Sequence, residues 1–145
     1  MAWKRVIKNS DLEKCLNIII SSAEHYSELT LEDINRNIDR KRGEMFYYNS
    51  EETKIAVMFQ WNYTKKMWRL KHAAYQGGDP IDAMIITWDK IKDFLVEHKE
   101  DKGYIIVAPI KDYNESQQPY LTYLKQLEEI TMIENQGISK WNINL

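Results

Sequence analysis

Two adjacent glycines, Gly77-Gly78, stand directly before a helix start and mark the place where this backbone could bind phosphate. A helix start offers unpaired N–H groups and the positive end of the helix dipole, and both attract an anion. The next two residues, Asp79-Pro80, favour a capped turn as the alternative, because Asp is a good N-cap and Pro a good first helical residue. The candidate phosphate-binding residues are therefore Gly77 and Gly78.

His72 ends a run, residues 65–72, that mixes basic and aromatic residues, and in it Arg69 and Lys71 alternate with Trp68 and Leu70. An imidazole with a pKa near neutral pH can take a proton from a substrate ammonium group. The alternative is that His72 packs beside Trp68 and Leu70 on one face of a strand. Such a run can also bind single-stranded nucleic acid, but a half-buried strand explains the alternation without a ligand.

The cysteine and the histidines show no metal-binding or nucleophile pattern. Cys15 lies in the apolar stripe of a helix, which favours a buried, inert thiol. His25, His72 and His98 are too far apart to have the spacing of metal ligands. We therefore expect no metal.

The composition is that of one soluble domain over residues 1–145, with 43% hydrophobic and 29% charged residues. Twenty basic against 22 acidic residues give a net charge of −2, which excludes a strong overall attraction to nucleic acid. No apolar run approaches the ~20 residues of a membrane span, and the first residues lack the apolar part of a signal peptide. We expect a cytoplasmic protein without a membrane partner.

Apolar residues at helical spacing predict four helices, over residues 10–23, 31–42, 80–98 and from 116 or 119 to 130. Ser10–Glu13 matches a capping box, and Gly43 is expected to end the second helix. Strands are predicted over residues 3–8, 45–48, 55–63, 67–75 and 104–110, with one or two edge strands around Gly137. The fold class is therefore α/β (α+β), a mixed, mainly antiparallel sheet flanked by about four helices.

This order of elements resembles the GNAT superfamily, the Gcn5-related N-acetyltransferases, over nearly the whole chain. In that family the junction between the strand at Met67–Tyr75 and the helix at Pro80–His98 holds the diphosphate of coenzyme A. A second match lies in the last helix, where Ser116, Tyr123 and Leu127-Glu128 fall at the spacing of the family's Asn, Tyr and Gly-Phe.

The resemblance implies an acyl-CoA-dependent N-acyltransferase that uses acetyl-CoA as co-substrate, needs no metal and acts on a primary amine of a small molecule or a protein. The resemblance further implies that His72, or a water that it orients, takes the amine proton and that Tyr123 protonates the departing thiolate. The loop departs from the family pattern, since Asp79 places a negative charge where the diphosphate belongs and Pro80 lacks a donor. The implied cofactor-binding residues are Gln76, Gly77, Gly78, Ile81 and Ser116.

The alternative function is a catalytically inactive descendant of the fold that serves as a binding or assembly component, as in a phage virion. Its expected location is then the host cytoplasm or the virion. Aromatic residues near chain ends and loops are enriched in interfaces. They predict a partner surface made of Trp3, Tyr113, Tyr120 and Trp141.

Overall fold

The computed structural model describes residues 3–40 and 42–145, except for the side chain of Arg40. Within these residues the helices are α1 (Asn9–Ser22), α2 (Leu31–Arg40), α3 (Pro80–Glu97) and α4 (Gln117–Lys125). The strands are β1 (Trp3–Arg5), β2 (Gly43–Asn49), β3 (Lys54–Asn62), β4 (Met67–Gln76), β5 (Lys102–Val107), β6 (Ile130–Gln136) and β7 (Ile138–Asn144). None of the described helices is both long and apolar enough to span a membrane.

The strands form one sheet in the order β1-β2-β3-β4-β5-β7-β6. Neighbouring strands are antiparallel except β4 and β5, which are parallel because α3 crosses over between them. The predicted mixed, mainly antiparallel sheet is therefore confirmed. The tail forms a hairpin about Gly137, which has a φ of 86°. Only β6 is an edge strand there, because β7 lies between β5 and β6.

Helices cover both faces of the sheet. On one face α1 and α2 bury an apolar cluster that includes Leu12, Cys15, Ile19, Ile34 and Met58. On the other face α3 and α4 bury a larger cluster rich in aromatic rings. At its centre Phe94 of α3 is fully buried and stacks on Phe59 of β3, with ring centroids 3.9 Å apart. Burial of large rings on this scale is the main source of stability in such a core.

A β-bulge in β4 reverses which residues face which side. Met58 pairs with His72 and the next residue of β3 pairs with Leu70, so Lys71 is the extra residue. Before the bulge, Trp68 and Leu70 face the α3–α4 side. After it, His72 lies directly opposite Met58, which faces the α1–α2 side. The interpretation that His72 packs on the same face as Trp68 and Leu70 is therefore wrong.

Two predicted helix ends are also wrong. α1 begins at Asn9 after Lys8 and has no side-chain cap, so Ser10–Glu13 does not form a capping box. Gly43 begins β2 instead of ending α2, and Arg42 takes the left-handed conformation, with a φ of 49°. A residue with a side chain fits poorly at position 43, because its Cβ would lie 2.9 Å from the carbonyl oxygen of Asn37.

Candidate functional site

Strands β4 and β5 pair at only three positions and then separate. Trp68, Arg69 and Leu70 pair with Gly103, Tyr104 and Ile105, and the strands pair no further along β4. We call the gap beyond Leu70 the β4–β5 notch. Its cavity has a volume of only about 30 Å³, because side chains from the loop before α4 and from α4 itself pack into it. The lining residues include Leu70, Ala73, Ile105, Val107, Tyr113 and Leu121.

The backbone of β4 beside the notch has an edge that no strand pairs with. The side-chain amide of Gln117 takes the place of a strand there, donating to the carbonyl oxygen of Tyr75 (2.8 Å) and accepting from its N–H (3.3 Å). Alternate residues of a strand turn their polar groups to the same side. Ala73 is therefore turned to the notch as well, and an extended ligand that carries amide groups can pair with such an edge.

The end of β4 opens into a second cavity of about 400 Å³ beside the start of α4. It brings together four of the five residues predicted to bind a cofactor; Ile81, in the first turn of α3, does not line it. Whether the four bind a ligand stays a prediction. The lining residues are Ser21, Tyr75, Gln76, Gly77, Gly78, Ser116 and Gln117.

The start of α3 does not fit a diphosphate. One carboxylate oxygen of Asp79 accepts from the N–H groups of Ile81 (2.8 Å) and Asp82 (3.1 Å), and the carbonyl oxygen of Asp79 accepts from Ala83 (3.0 Å). Pro80 has no N–H. Every N–H of the first turn is thus bonded to the cap residue, and the capped turn is what the structure shows.

The glycine pair has a structural reason of its own. Gly77 and Gly78 both have a φ of 76°, which residues with a Cβ rarely adopt. A Cβ on Gly77 would lie 2.5 Å from the carbonyl oxygen of Glu52, and one on Gly78 would collide with the hydroxyl of Thr53. That hydroxyl donates to the carbonyl oxygen of Gly77 (3.1 Å). The loop therefore packs closely on the turn between β2 and β3.

His72 lies in a polar cluster on the α1–α2 side of the sheet. It is 6% exposed, and neither ring nitrogen has a hydrogen-bond partner within the described part of the chain. The ring of Tyr26 meets it edge-on at 5.2 Å, and the ring of His25 packs against Tyr26 in a tilted arrangement at 4.2 Å. Burial, with smaller contributions from Lys71, Arg69 and His25, lowers the pKa of His72 to about 3. The imidazole is therefore neutral at neutral pH, a weak base with free nitrogens.

Tyr113 completes this cluster from the loop before α4. Residue 113 forms an isolated bridge with Ala23, and its ring lies 5.2 Å from that of His25. The hydroxyl groups of Tyr113 and Tyr26 interact, and burial raises the pKa of both. The sequence contains no spacing that links positions 25–26, 69–72 and 113, so only the tertiary contacts could have revealed the cluster.

Tyr123, the predicted proton donor, is half-buried on α4 and packs at the border of the larger core. The α4 side chains that line the notch are those of Leu121 and Leu124. The catalytic roles of Tyr123 and His72 thus stay predictions.

The predicted surface of exposed aromatics does not form. Tyr113 is 8% exposed and Tyr120 fully buried, with its hydroxyl 2.9 Å from that of Thr87. Both rings are part of the core, so the prediction that they contact a partner is wrong. Trp3 packs edge-on against Tyr48, and the indole N–H of Trp141 donates to Ser139.

Cys15 is fully buried in α1, and burial raises the pKa of its thiol to about 12. Because the thiolate is the reactive form, we expect no labelling of native protein by Ellman's reagent within an hour at pH 8 and complete labelling in urea. Rapid labelling of the native protein would contradict this placement.

Among the described residues, no group of three or more His, Cys, Asp or Glu side chains could hold a metal ion.

No family model matches the chain, and no curated protein matches it in sequence. Solved structures do share its fold. An aminoglycoside 6'-acetyltransferase type Ii superimposes with a TM-score of 0.67 at 10% identity, over 99% of this chain and 97% of that one. The N-acyl amino acid synthase FeeM from uncultured soil microbes superimposes with a TM-score of 0.63 at 10% identity, over 98% of this chain and 89% of that one. The spermidine/spermine N-acetyltransferase SpeG from Vibrio cholerae superimposes with a TM-score of 0.53 at 12% identity, over 98% of this chain and 93% of that one.

Proposed function

Because the chain has the fold of the GNAT acetyltransferases, we propose that it is an N-acyltransferase that moves an acyl group from a thioester to a primary amine. The observation that carries this proposal is the edge of β4 at the β4–β5 notch, which pairs with the Gln117 side chain and with no described strand, next to the His72 cluster. The named substrates of the structural neighbours, aminoglycosides and spermidine or spermine, support an amine acceptor.

The reaction needs no oxidant, reductant or third reactant. The amine nitrogen attacks the thioester carbonyl carbon and forms the new C–N bond. The tetrahedral intermediate then collapses, and the C–S bond breaks with its electron pair on sulfur. The proton lost by the amine nitrogen ends on the sulfur, so the products are an amide and a thiol. Holding the two reactants in line supplies much of the rate enhancement in such a transfer.

In this proposal the thioester arm lies along Ala73 and Tyr75, where it replaces the side-chain amide of Gln117. The amine approaches from the α1–α2 side, where a nitrogen of His72 accepts its hydrogen bond. Since the lowered pKa makes His72 a weak base, its part is to orient the amine or a water that carries the proton away. Tyr123 on α4 gives a proton to the sulfur.

The test is an acetyl-transfer assay with acetyl-CoA and a second thioester, S-acetylpantetheine, against primary amines that include spermidine and an aminoglycoside. We expect an acetylated amine, detected by mass spectrometry, with at least one donor. A bound donor at 100 times its Kd should also stabilise the protein by about 2.7 kcal/mol in a thermal-shift assay. The absence of both turnover and stabilisation with both thioesters would contradict the proposal.

Replacing Tyr123 by Phe should lower kcat about 100-fold and leave donor affinity nearly unchanged, since only the proton donor is lost. Tyr48→Phe is the matched control, because Tyr48 is also half-buried at the border of the same core. Equal kcat in wild type and Tyr123→Phe would remove Tyr123 from the mechanism.

Two observations favour a second candidate function, a non-catalytic protein that keeps the fold. The β4–β5 notch has room for little more than one water, and the start of α3 is closed by its cap. If neither thioester is bound, this second function is the one that the structure supports.

A further inference from the structure

We infer that the donor is a pantetheine-type thioester whose arm is not held through a nucleotide diphosphate. Such a site takes acyl-pantetheine about as well as acyl-CoA. The inference rests on the proposed function, because it specifies the donor class of the same site. It follows from what surrounds the far end of the notch, where a donor's diphosphate would lie next to α3.

The first step is the count of free N–H groups at the start of α3. Pro80 has none, and those of Ile81, Asp82 and Ala83 all donate to Asp79. A phosphate oxygen could bond to them only by displacing the Asp79 carboxylate and uncapping an 18-residue helix. The ligand would thus exchange hydrogen bonds without gaining any.

The charge at the start of α3 also opposes the binding of an anion. Asp79 and Asp82 place two carboxylates within the first turn of α3, where they cancel the attraction of the helix dipole for an anion. The cavity at the end of β4 offers no compensation, because its lining contains no basic side chain among the described residues. Two phosphate groups here would meet repulsion from both carboxylates.

The loop before α3 also leaves no space for a diphosphate beside its two glycines. Glycine pairs often let a ligand approach the backbone closely, but Gly77 and Gly78 turn that side towards Glu52 and Thr53. The Thr53 hydroxyl donates to the Gly77 carbonyl oxygen. The room that two missing side chains create is therefore filled by the protein itself.

A pantetheine arm, in contrast, is uncharged, and at Tyr75 it has only one side-chain amide to displace, that of Gln117. The N–H and C=O groups of Tyr75 are already paired with an amide, that of Gln117, and a pantetheine arm carries two amides. Ala73 offers a second set of backbone groups on the same side. Binding energy from the donor thus comes from its arm, which acyl-CoA and acyl-pantetheine share.

The experiment compares kcat/KM for acetyl-CoA and S-acetylpantetheine with one amine acceptor, and the Kd of CoA, pantetheine and adenosine 3',5'-bisphosphate by calorimetry. We expect the two donors to agree within about 3-fold and the bisphosphate not to bind. A preference for acetyl-CoA of more than 100-fold would overturn the inference and leave the proposed function standing. No transfer and no binding with either donor would overturn the proposed function itself.

A pair of variants tests the stated cause. Asp79→Ser keeps a capping side chain and removes the charge, so the affinity for CoA should rise about 3- to 10-fold while that for pantetheine stays the same. Asp82→Asn removes one carboxylate from the same turn and also leaves the N–H groups capped, so it should raise the affinity for CoA by a similar factor. Unchanged CoA affinity in Asp79→Ser would show that Asp79 does not exclude the diphosphate.

Discussion

Between about pH 6 and pH 4, wild-type protein is expected to lose about 1.4 kcal/mol of unfolding free energy per pH unit relative to the His72→Leu variant. The folded pKa of His72 is about 3, below the ordinary value of 6.5. In this window the unfolded chain binds a proton at His72 and the folded chain does not. Stability is therefore fully present above pH 6.5 and is lost as the pH falls towards 3.

Urea titrations at several pH values give this difference directly, because all other titrating groups are common to the two proteins. Leucine removes two ring nitrogens that have no partner within the described residues, so at pH 7 the variant should be about as stable as wild type. His25→Gln is the control: it removes an exposed histidine of the same cluster and should keep most of the slope. If the unfolding free energies of wild type and His72→Leu changed equally with pH, the burial of a neutral imidazole would be contradicted.

Replacing Gly78 by Ala is expected to cost about 3 kcal/mol or more of unfolding free energy. The alanine must adopt a φ of 76°, and its Cβ collides with the Thr53 hydroxyl. Gly137→Ala is a matched control, because Gly137 has a φ of 86° but no atom within 4 Å of the added Cβ. It should cost only about 1–2 kcal/mol.

Chemical denaturation of the two variants separates backbone strain from collision. Adding Thr53→Ala to Gly78→Ala should recover part of the loss, although Thr53→Ala alone destabilises by removing the bond to Gly77. Equal losses in Gly78→Ala and Gly137→Ala would mean that the contact with Thr53 carries no energy.

The elements that the sequence predicts well are those with long, regular patterns. The helix at α3 has the predicted Asp-Pro start. Of the seven apolar residues that predict its inner face, five are buried, whereas Ile81 and Ile85 are exposed. The alternation along β3 and β4 likewise predicts the antiparallel pair that centres the sheet. From these elements and their order the fold could be recognised before any coordinates.

The errors share a physical cause, since each depends on contacts between distant parts of the chain. The bulge at Lys71 has no local signal, yet it moves His72 to the opposite face of the sheet. Tyr120 looks like a loop-proximal aromatic, but its bond to Thr87 and its packing on Tyr75 place it in the core. The capping-box pattern also suggested a cap at Ser10, whereas the N-cap residue is Lys8, two residues earlier, and its side chain makes no capping hydrogen bond.

The bond pair between Gln117 and Tyr75 has a consequence for how any arm could bind there. A ligand amide that replaces Gln117 makes two hydrogen bonds and breaks two, and the freed glutamine returns to water. The exchange is nearly neutral in free energy, so under the proposed function the edge of β4 would set the direction and register of the arm without holding it tightly. Affinity for the proposed donor would then come from the apolar walls of the notch, and release of the product would break no strong bond.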